Sequence, residues 1–291
     1  MIKYKYNRYL RLIIIIVFVF VILAGVVLVR AEVGGPLSEE KIGVVVTILP
    51  LADFVEQVGK DKVGEVTVMV PSGASPHTYE PTPLQLKNIS RAQLYIKVGS
   101  GIDFELAWMD KISGVNKDML ICDSSQGIKL IDRDPHIWLS PGNAKIMVQN
   151  ICQALAEIDP PSREYFERNA REFLRSLDEL DEEIKVKLKG IKNKKFLSYH
   201  PSWSYFAKDY NLTQIAIEKE GKEPSAAFLV SIIEQARVYD ISIILVSPQF
   251  NTKSAEVISQ EIGARIIIAD PLSRDYLKNL KKLAGEMVGD K

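Results

Sequence analysis

The sequence predicts an α/β protein of two lobes, each a parallel sheet covered by helices, joined by one long rigid backbone helix. Three observations carry this. Short apolar, β-branched runs lack polar alternation, which marks strands buried on both faces and hence parallel sheets with helices packed outside. The runs alternate with longer amphipathic segments in two successive blocks, the repetition of βα units. Between the blocks lies a segment with a single apolar stripe, where a free linker would be rich in Gly, Ser or Pro.

The first element is an uncharged apolar run, Leu12 to Val29, preceded by Lys3, Lys5, Arg8 and Arg11. As a helix it would reach about 27 Å, against a hydrocarbon core of roughly 30 Å, so residues 1–31 read as a signal peptide or an N-terminal membrane anchor. Val29-Arg30-Ala31 before Glu32 is an imperfect cleavage site, and no cysteine follows the run to carry a lipid. The basic start stays inside, so the rest of the chain is expected to work outside the cytoplasm.

Residues 32–158 read as the N-terminal α/β lobe. Its strands are expected at Val44 to Ile48, Val66 to Val70, Leu94 to Val98 and Leu120-Ile121, and its helices at Ala52 to Lys60, Pro83 to Arg91 and Asn143 to Ile158. Residues 159–190 form the linking helix. Tyr165, Phe166, Phe173, Leu174, Leu177, Leu180, Ile184 and Leu188 recur at three-and-four spacing, with Asp159-Pro160-Pro161-Ser162 as the start signal and Gly190 as the stop. Residues 191–291 read as the C-terminal lobe. Strands are expected at Phe196 to Ser198, Gln214 to Ile217, Ile241 to Val246 and Arg265 to Ile268. Helices are expected at Trp203 to Tyr210, Ser225 to Tyr239, Thr252 to Ile262 and Tyr276 to Met287.

Composition narrows the function. The 291 residues carry 37 Lys+Arg and 37 Asp+Glu, but five of the basic residues and no acid fall within residues 1–31, so the body is net acidic. No basic run interleaved with aromatics remains there, which argues against a nucleic-acid surface. No GxSxG, Walker A or GxGxxG stands between a strand and a helix, which leaves phosphate and dinucleotide chemistry unsupported. Cys122 and Cys152 lie in a chain where a disulfide is permitted, and two buried thiols fit equally well.

All three histidines touch a proline, in Pro76-His77, Pro135-His136 and His200-Pro201, and Asp270-Pro271 repeats the construction. Proline fixes φ and restrains its neighbour, so these side chains sit on stiff, extended loops. His77, His200 and Asp270 also follow expected strands, at the carboxyl ends where open α/β sheets bind ligands. Three imidazoles and one carboxylate suit a tetrahedral divalent ion such as zinc and offer too little oxygen for calcium or magnesium. Their separations match no local metal motif, so each histidine could equally be a loop residue satisfied by backbone or water. Glu80 could orient an imidazole or act as a ligand, and is otherwise an exposed loop carboxylate. Trp108, Trp138 and Trp203 could wall a cleft or pack the core.

At Pro71 to Pro83, Asp134 to Pro141, Ser198 to Pro201, Gly221 to Ser225 and Asp270 to Leu272 the chain resembles the zinc- and manganese-specific solute-binding proteins of ABC importers, of the ZnuA and TroA type. The resemblance implies that His77, His136, His200 and Asp270 are the metal ligands. It also implies that a His at the third position goes with Zn2+ and a Glu with Mn2+, so that His200 favours zinc while Mn2+ stays possible. Its expected partner is an ABC transporter permease, and the expected form is a monomer. Ser140 and Pro201 stand where the family usually has Asp. The segment from Gly127 to Asp134 is short and lacks the family's His-rich loop.

The expectation is therefore a receptor that makes and breaks no covalent bond. A zinc hydrolase would keep three protein ligands and an open water position, whereas this set supplies four. The alternatives are a Mn2+-specific receptor of the same family and a binding protein for a bulkier metal chelate.

Overall fold

The computed structural model describes residues 41–131, 134–218 and 223–289; the expected signal or anchor segment, residues 1–31, lies outside them. Among the described residues no helix is long and apolar enough to cross a membrane.

Strands β1 (Val44–Ile48), β2 (Thr67–Val70), β3 (Leu94–Lys97) and β4 (Leu120–Asp123) form a parallel sheet in the order β2-β1-β3-β4. Strands β5 (Lys195–Ser198), β6 (Thr213–Ala216), β7 (Ile243–Val246) and β8 (Arg265–Ile268) repeat that order as β6-β5-β7-β8, again all parallel. All five residues of β1 are buried, as a strand covered on both faces requires. The shared order puts the crossover reversal beside β1 in one sheet and beside β5 in the other, and the carboxyl ends there are where such sheets hold ligands.

The covering helices are α1 (Leu49–Gly59), α2 (Pro83–Ile89), α3 (Asp103–Val115), α4 (Pro141–Ile158), α5 (Arg163–Leu188), α6 (Ser204–Asp209), α7 (Ala226–Val238), α8 (Lys253–Ile262) and α9 (Tyr276–Val288). Helix α1 starts directly after β1, earlier than its periodicity suggests. Pro50 lies in its first turn, where its missing N–H has no partner to lose. Helix α3 has no counterpart in the sequence reading. Phe104, Glu105 and Ile112 are its buried residues, while Leu106 and Val115 face outward, so its apolar pattern does not trace one stripe.

The long helix α5 has 26 residues, about 39 Å at 1.5 Å per residue. It begins after a 3-10 turn at Pro160–Ser162, because two successive prolines cannot supply the amide hydrogens of a helix interior. Its buried stripe runs Phe166, Asn169, Ala170, Phe173, Leu177, Leu180, Ile184 and Leu188. Against it pack α1 and α4 from the first block and α9 from the second. One continuous core therefore runs from the first sheet through α5 and α9 to one side of the second sheet. A smaller cluster, including Leu197, Ile232, Ile244 and Ile258, lies under α7 and α8.

Hydrogen bonds staple the blocks together as well. The Trp138 indole donates to the Pro271 carbonyl at 2.7 Å, and the Tyr276 hydroxyl donates to the Trp138 carbonyl at 2.7 Å. The Tyr276 amide donates to Asp53 Oδ2, and Arg274 pairs with Glu56. Trp138 and Trp203 are buried, while Trp108 is partly buried with Lys111 over its ring. Cys122 and Cys152 are buried free thiols, and burial pushes the Cys122 thiol up to about 12.

Candidate metal centre

Every residue of the centre follows a strand. The loop after β2 carries His77, whose amide donates to Ser75 Oγ. After β3, Gly99 turns the chain at φ 82, and a Cβ there would lie 1.8 Å from Asp123 Oδ1, so only glycine fits. Buried Glu105 braces that turn by accepting from the Val98 amide, the Gly99 amide and the Thr47 hydroxyl at 2.6, 2.9 and 2.6 Å. Burial raises the pKa of this carboxyl in spite of its donors. The turn leads into the first residue of α3, Asp103.

After β4 comes Asp134-Pro135-His136. Asp134 Oδ1 accepts from both the His136 amide and its ring Nδ1, at 2.9 and 2.8 Å, which closes a local turn and fixes the ring. The loop is held from both sides: Ser100 donates to the Pro135 carbonyl, and the Tyr205 hydroxyl of α6 contacts the Asp134 carbonyl. From the second sheet come His200 after β5, Glu218 after β6, Gln249 and Phe250 after β7, and Asp270 after β8.

The three imidazoles meet. His77 Nε2 and His136 Nε2 each lie 3.3 Å from His200 Nε2, and one ligand atom from each ring falls within 4.8 Å of the others. Each ring is held from behind by a carboxylate at Nδ1: Asp103 on His77 at 2.5 Å, Asp134 on His136 at 2.8 Å and Glu218 on His200 at 2.9 Å. A carboxylate at Nδ1 keeps the proton there and leaves the Nε2 lone pair free to bind a cation. Nitrogens at about 2.0–2.1 Å from a tetrahedral zinc ion stand about 3.3–3.4 Å from one another, so the two pairs that His200 makes fit that ion.

Asp270 does not join the trio. Its Oδ1 accepts from Gln249 Nε2 at 2.8 Å and from the Leu272 amide at 2.9 Å. Glu80 is exposed, and the place behind His77 is taken by Asp103 instead. Ser140 donates to Asp209 at 2.5 Å and caps α4. The partner of His136 is supplied two residues upstream, by Asp134.

The cavity around the imidazoles is small, about 20 Å³, and is lined by Pro76, His77, Ile102, His136, Trp138, His200, Gln249, Phe250, Pro271 and Leu272. A space of that size holds one water or a single ion and falls far short of the roughly 300–1,000 Å³ of small-molecule pockets. Phe250 stacks on His200 with ring centroids 4.8 Å apart, and Trp138 packs beside His136 at 5.3 Å. This apolar wall limits the access of water to the buried rings and strengthens any charge interaction there. Burial lowers the pKa of the His136 imidazole, against the pull of Asp134, and the neighbouring His200 and His77 lower it further. Burial opposes ionisation of Asp134 too, but the hydrogen bonds and charge of His136 outweigh it, so this carboxyl lies below its usual range. The pair presents a neutral imidazole backed by a carboxylate.

Sequence reasoning missed Asp103, Glu218 and Gln249 as partners of the site. Their signal is the same strand-end position that marks His200, applied to β3, β6 and β7.

Comparison with known proteins agrees with this architecture. The family model described as zinc-uptake complex component A, periplasmic (ZnuA), matches residues 44–289. The high-affinity zinc uptake system protein ZnuA of Bacillus subtilis is 30% identical over 254 residues, covering 80% of this chain and 79% of its own. The zinc-binding protein AdcA of Streptococcus pyogenes is 26% identical over 275 residues, 84% of this chain but 53% of its own, so the chain spans about half the length of that relative. A crystal structure of a ZnuA superposes with a TM-score of 0.83 at 42% identity, covering 86% of this chain and 98% of the other.

Proposed function

The chain belongs to the ZnuA family of periplasmic zinc-uptake proteins, and from that premise we propose that it captures Zn2+ through His77, His136, His200 and Asp270. It works outside the cytoplasm as a transport receptor and not as an enzyme: it binds the ion and delivers it to an ABC transporter permease. It acts as a monomer, with residues 1–31 as the signal or anchor, residues 32–158 and 191–291 as lobes and residues 159–190 as the link between them.

The observation that carries this reading is that His200 Nε2 lies 3.3 Å from the Nε2 atoms of His77 and His136, each on a ring whose other nitrogen is held by a carboxylate. Asp270 completes a set of four by offering Oδ2, and four protein donors suit capture better than catalysis, which keeps a position open. The modest cavity speaks against a bulky chelate. Manganese is the competing cargo, and three nitrogen donors disfavour it relative to zinc.

Titration of metal-free protein with Zn2+ and Mn2+, beside a His200→Ala variant, tests the reading. One tight zinc per chain, preferred over manganese and strongly weakened in the variant, is the expected result. Absence of tight transition-metal binding would overturn it.

A further inference from the structure

Among the described residues, Asp270 is held at one oxygen only. Oδ1 takes both the Gln249 carboxamide N–H and the Leu272 amide, at 2.8 and 2.9 Å. The Asp270 backbone carbonyl is fixed by Asn279 Nδ2 at 2.7 Å, so the residue is anchored at the main chain and at half of its carboxylate. Gln249 is itself placed by a tight turn after β7, closed by the Phe250 amide donating to the Ser247 carbonyl, and the next residue in that turn stacks on His200. Its carboxamide cannot be reversed, because its oxygen would then face the carboxylate oxygen of Asp270. In the orientation it has, Gln249 Oε1 is buried with no hydrogen-bond partner among the described residues, in a residue that lines the cavity of the three imidazoles. A buried acceptor without a donor is costly. The side chain is thus held for what its nitrogen does.

We infer that Gln249 is a specificity-determining residue of the metal site, which occupies Asp270 Oδ1 and so confines this carboxylate to a single donor oxygen. The inference rests on the reading of Asp270 as a ligand. A carboxylate with one oxygen committed to two N–H donors offers only Oδ2, and three imidazoles with one oxygen make the four-coordinate tetrahedral set that zinc takes. A carboxylate free at both oxygens can chelate, which raises the coordination number and the oxygen share toward what manganese accepts. Gln249 therefore selects through the denticity of its neighbour and touches no ion itself.

The test compares Gln249→Ala, Gln249→Met and Asp270→Ala with the parent, all as metal-free full-length protein. Zinc and manganese dissociation constants are measured by chelator competition, and the visible d–d absorption is recorded after loading with Co2+. Both Gln249 variants are expected to lose roughly tenfold in zinc affinity, with manganese unchanged or tighter. The Co2+ band should fall from tetrahedral intensity toward that of a five-coordinate ion. Gln249→Met keeps the side-chain bulk, so it carries the test if the alanine variant fails to fold. An unchanged zinc-to-manganese ratio and an unchanged Co2+ spectrum in the Gln249 variants, with zinc still weakened by Asp270→Ala, would overturn the role of Gln249 alone. Unchanged zinc affinity in Asp270→Ala would overturn the ligand reading of Asp270, and this inference with it.

Discussion

His136 and His200 stand on one side of the centre with side chains 9% and 8% exposed, beside carboxylates 10% and 4% exposed. His77 stands on the other with 30% exposure, and its partner Asp103 is 57% exposed. The same device, a carboxylate at Nδ1, has different consequences in the two places. In the buried pair, water cannot replace a missing partner, so ring and carboxylate depend on each other for the stability of the fold. At the His77 corner solvent can substitute for either group, and the pair serves to orient a ring at the mouth of the site. The buried pair is thus the fixed part of the receptor, and the His77 corner is the part that solvent and cargo reach.

Removing one imidazole from each side separates the two roles most strongly. His200→Ala should weaken zinc binding by roughly a hundredfold, since the four proposed ligands would share the roughly 10–16 kcal/mol of a closed zinc site. It should also destabilise the metal-free fold by about 3–5 kcal/mol, because Glu218 is left buried without its partner. His77→Ala should cost comparable zinc affinity and change metal-free stability by less than about 0.5 kcal/mol, as surface substitutions do. Chelator competition and urea unfolding measure the two effects separately. Equal destabilisation by both variants would contradict the comparison.

Removing the supporting carboxylates should give a smaller contrast of the same sign. Glu218→Gln is expected to weaken zinc about 10–100-fold. Asp103→Asn is expected to change it only a few-fold, because a solvent-exposed ion pair is worth about 0–1 kcal/mol. The check is the ratio of the two dissociation constants under one buffer.

Smaller still is the effect of pH on the metal-free protein. The His136 imidazole is lowered by burial, so as pH falls below the unfolded value of about 6.5 the unfolded chain takes up a proton that the folded chain declines. Stability should therefore be constant from pH 8 to 7 and decline from 6.5 to 5, by at most about 1.4 kcal/mol per pH unit for this one group. Asp134, lowered in the fold, adds a further loss below about pH 4. Urea midpoints across the range test this, and a His136→Asn variant should flatten the decline between pH 6.5 and 5.

The fold was legible wherever burial imposes a period. The apolar runs gave both sheets, and the stripe from Phe166 to Leu188 gave α5, because these residues face a core along their whole length. Helix α3 escaped because its first turn serves the site: Glu105 is buried for the Gly99 turn and Asp103 is turned toward His77, so neither follows an apolar stripe. Proline context and strand-end position singled out His77, His136, His200 and Asp270, three of which converge in the structure. That Glu218 and Gln249 support them depends on contacts across 18 and 21 residues between different strand ends, which no local pattern encodes. The meeting of His77 with His200 across 123 residues needs both sheets in place.

Zinc K-edge X-ray absorption on the protein loaded with one equivalent of Zn2+ shows whether three imidazoles of unequal burial share one tetrahedral ion. The expected shell has three imidazole nitrogens and one oxygen at about 2.0–2.2 Å, with the imidazole count falling to two in His77→Ala. A zinc ion bound by fewer than three imidazoles in the parent protein, or an unchanged count in that variant, would contradict it.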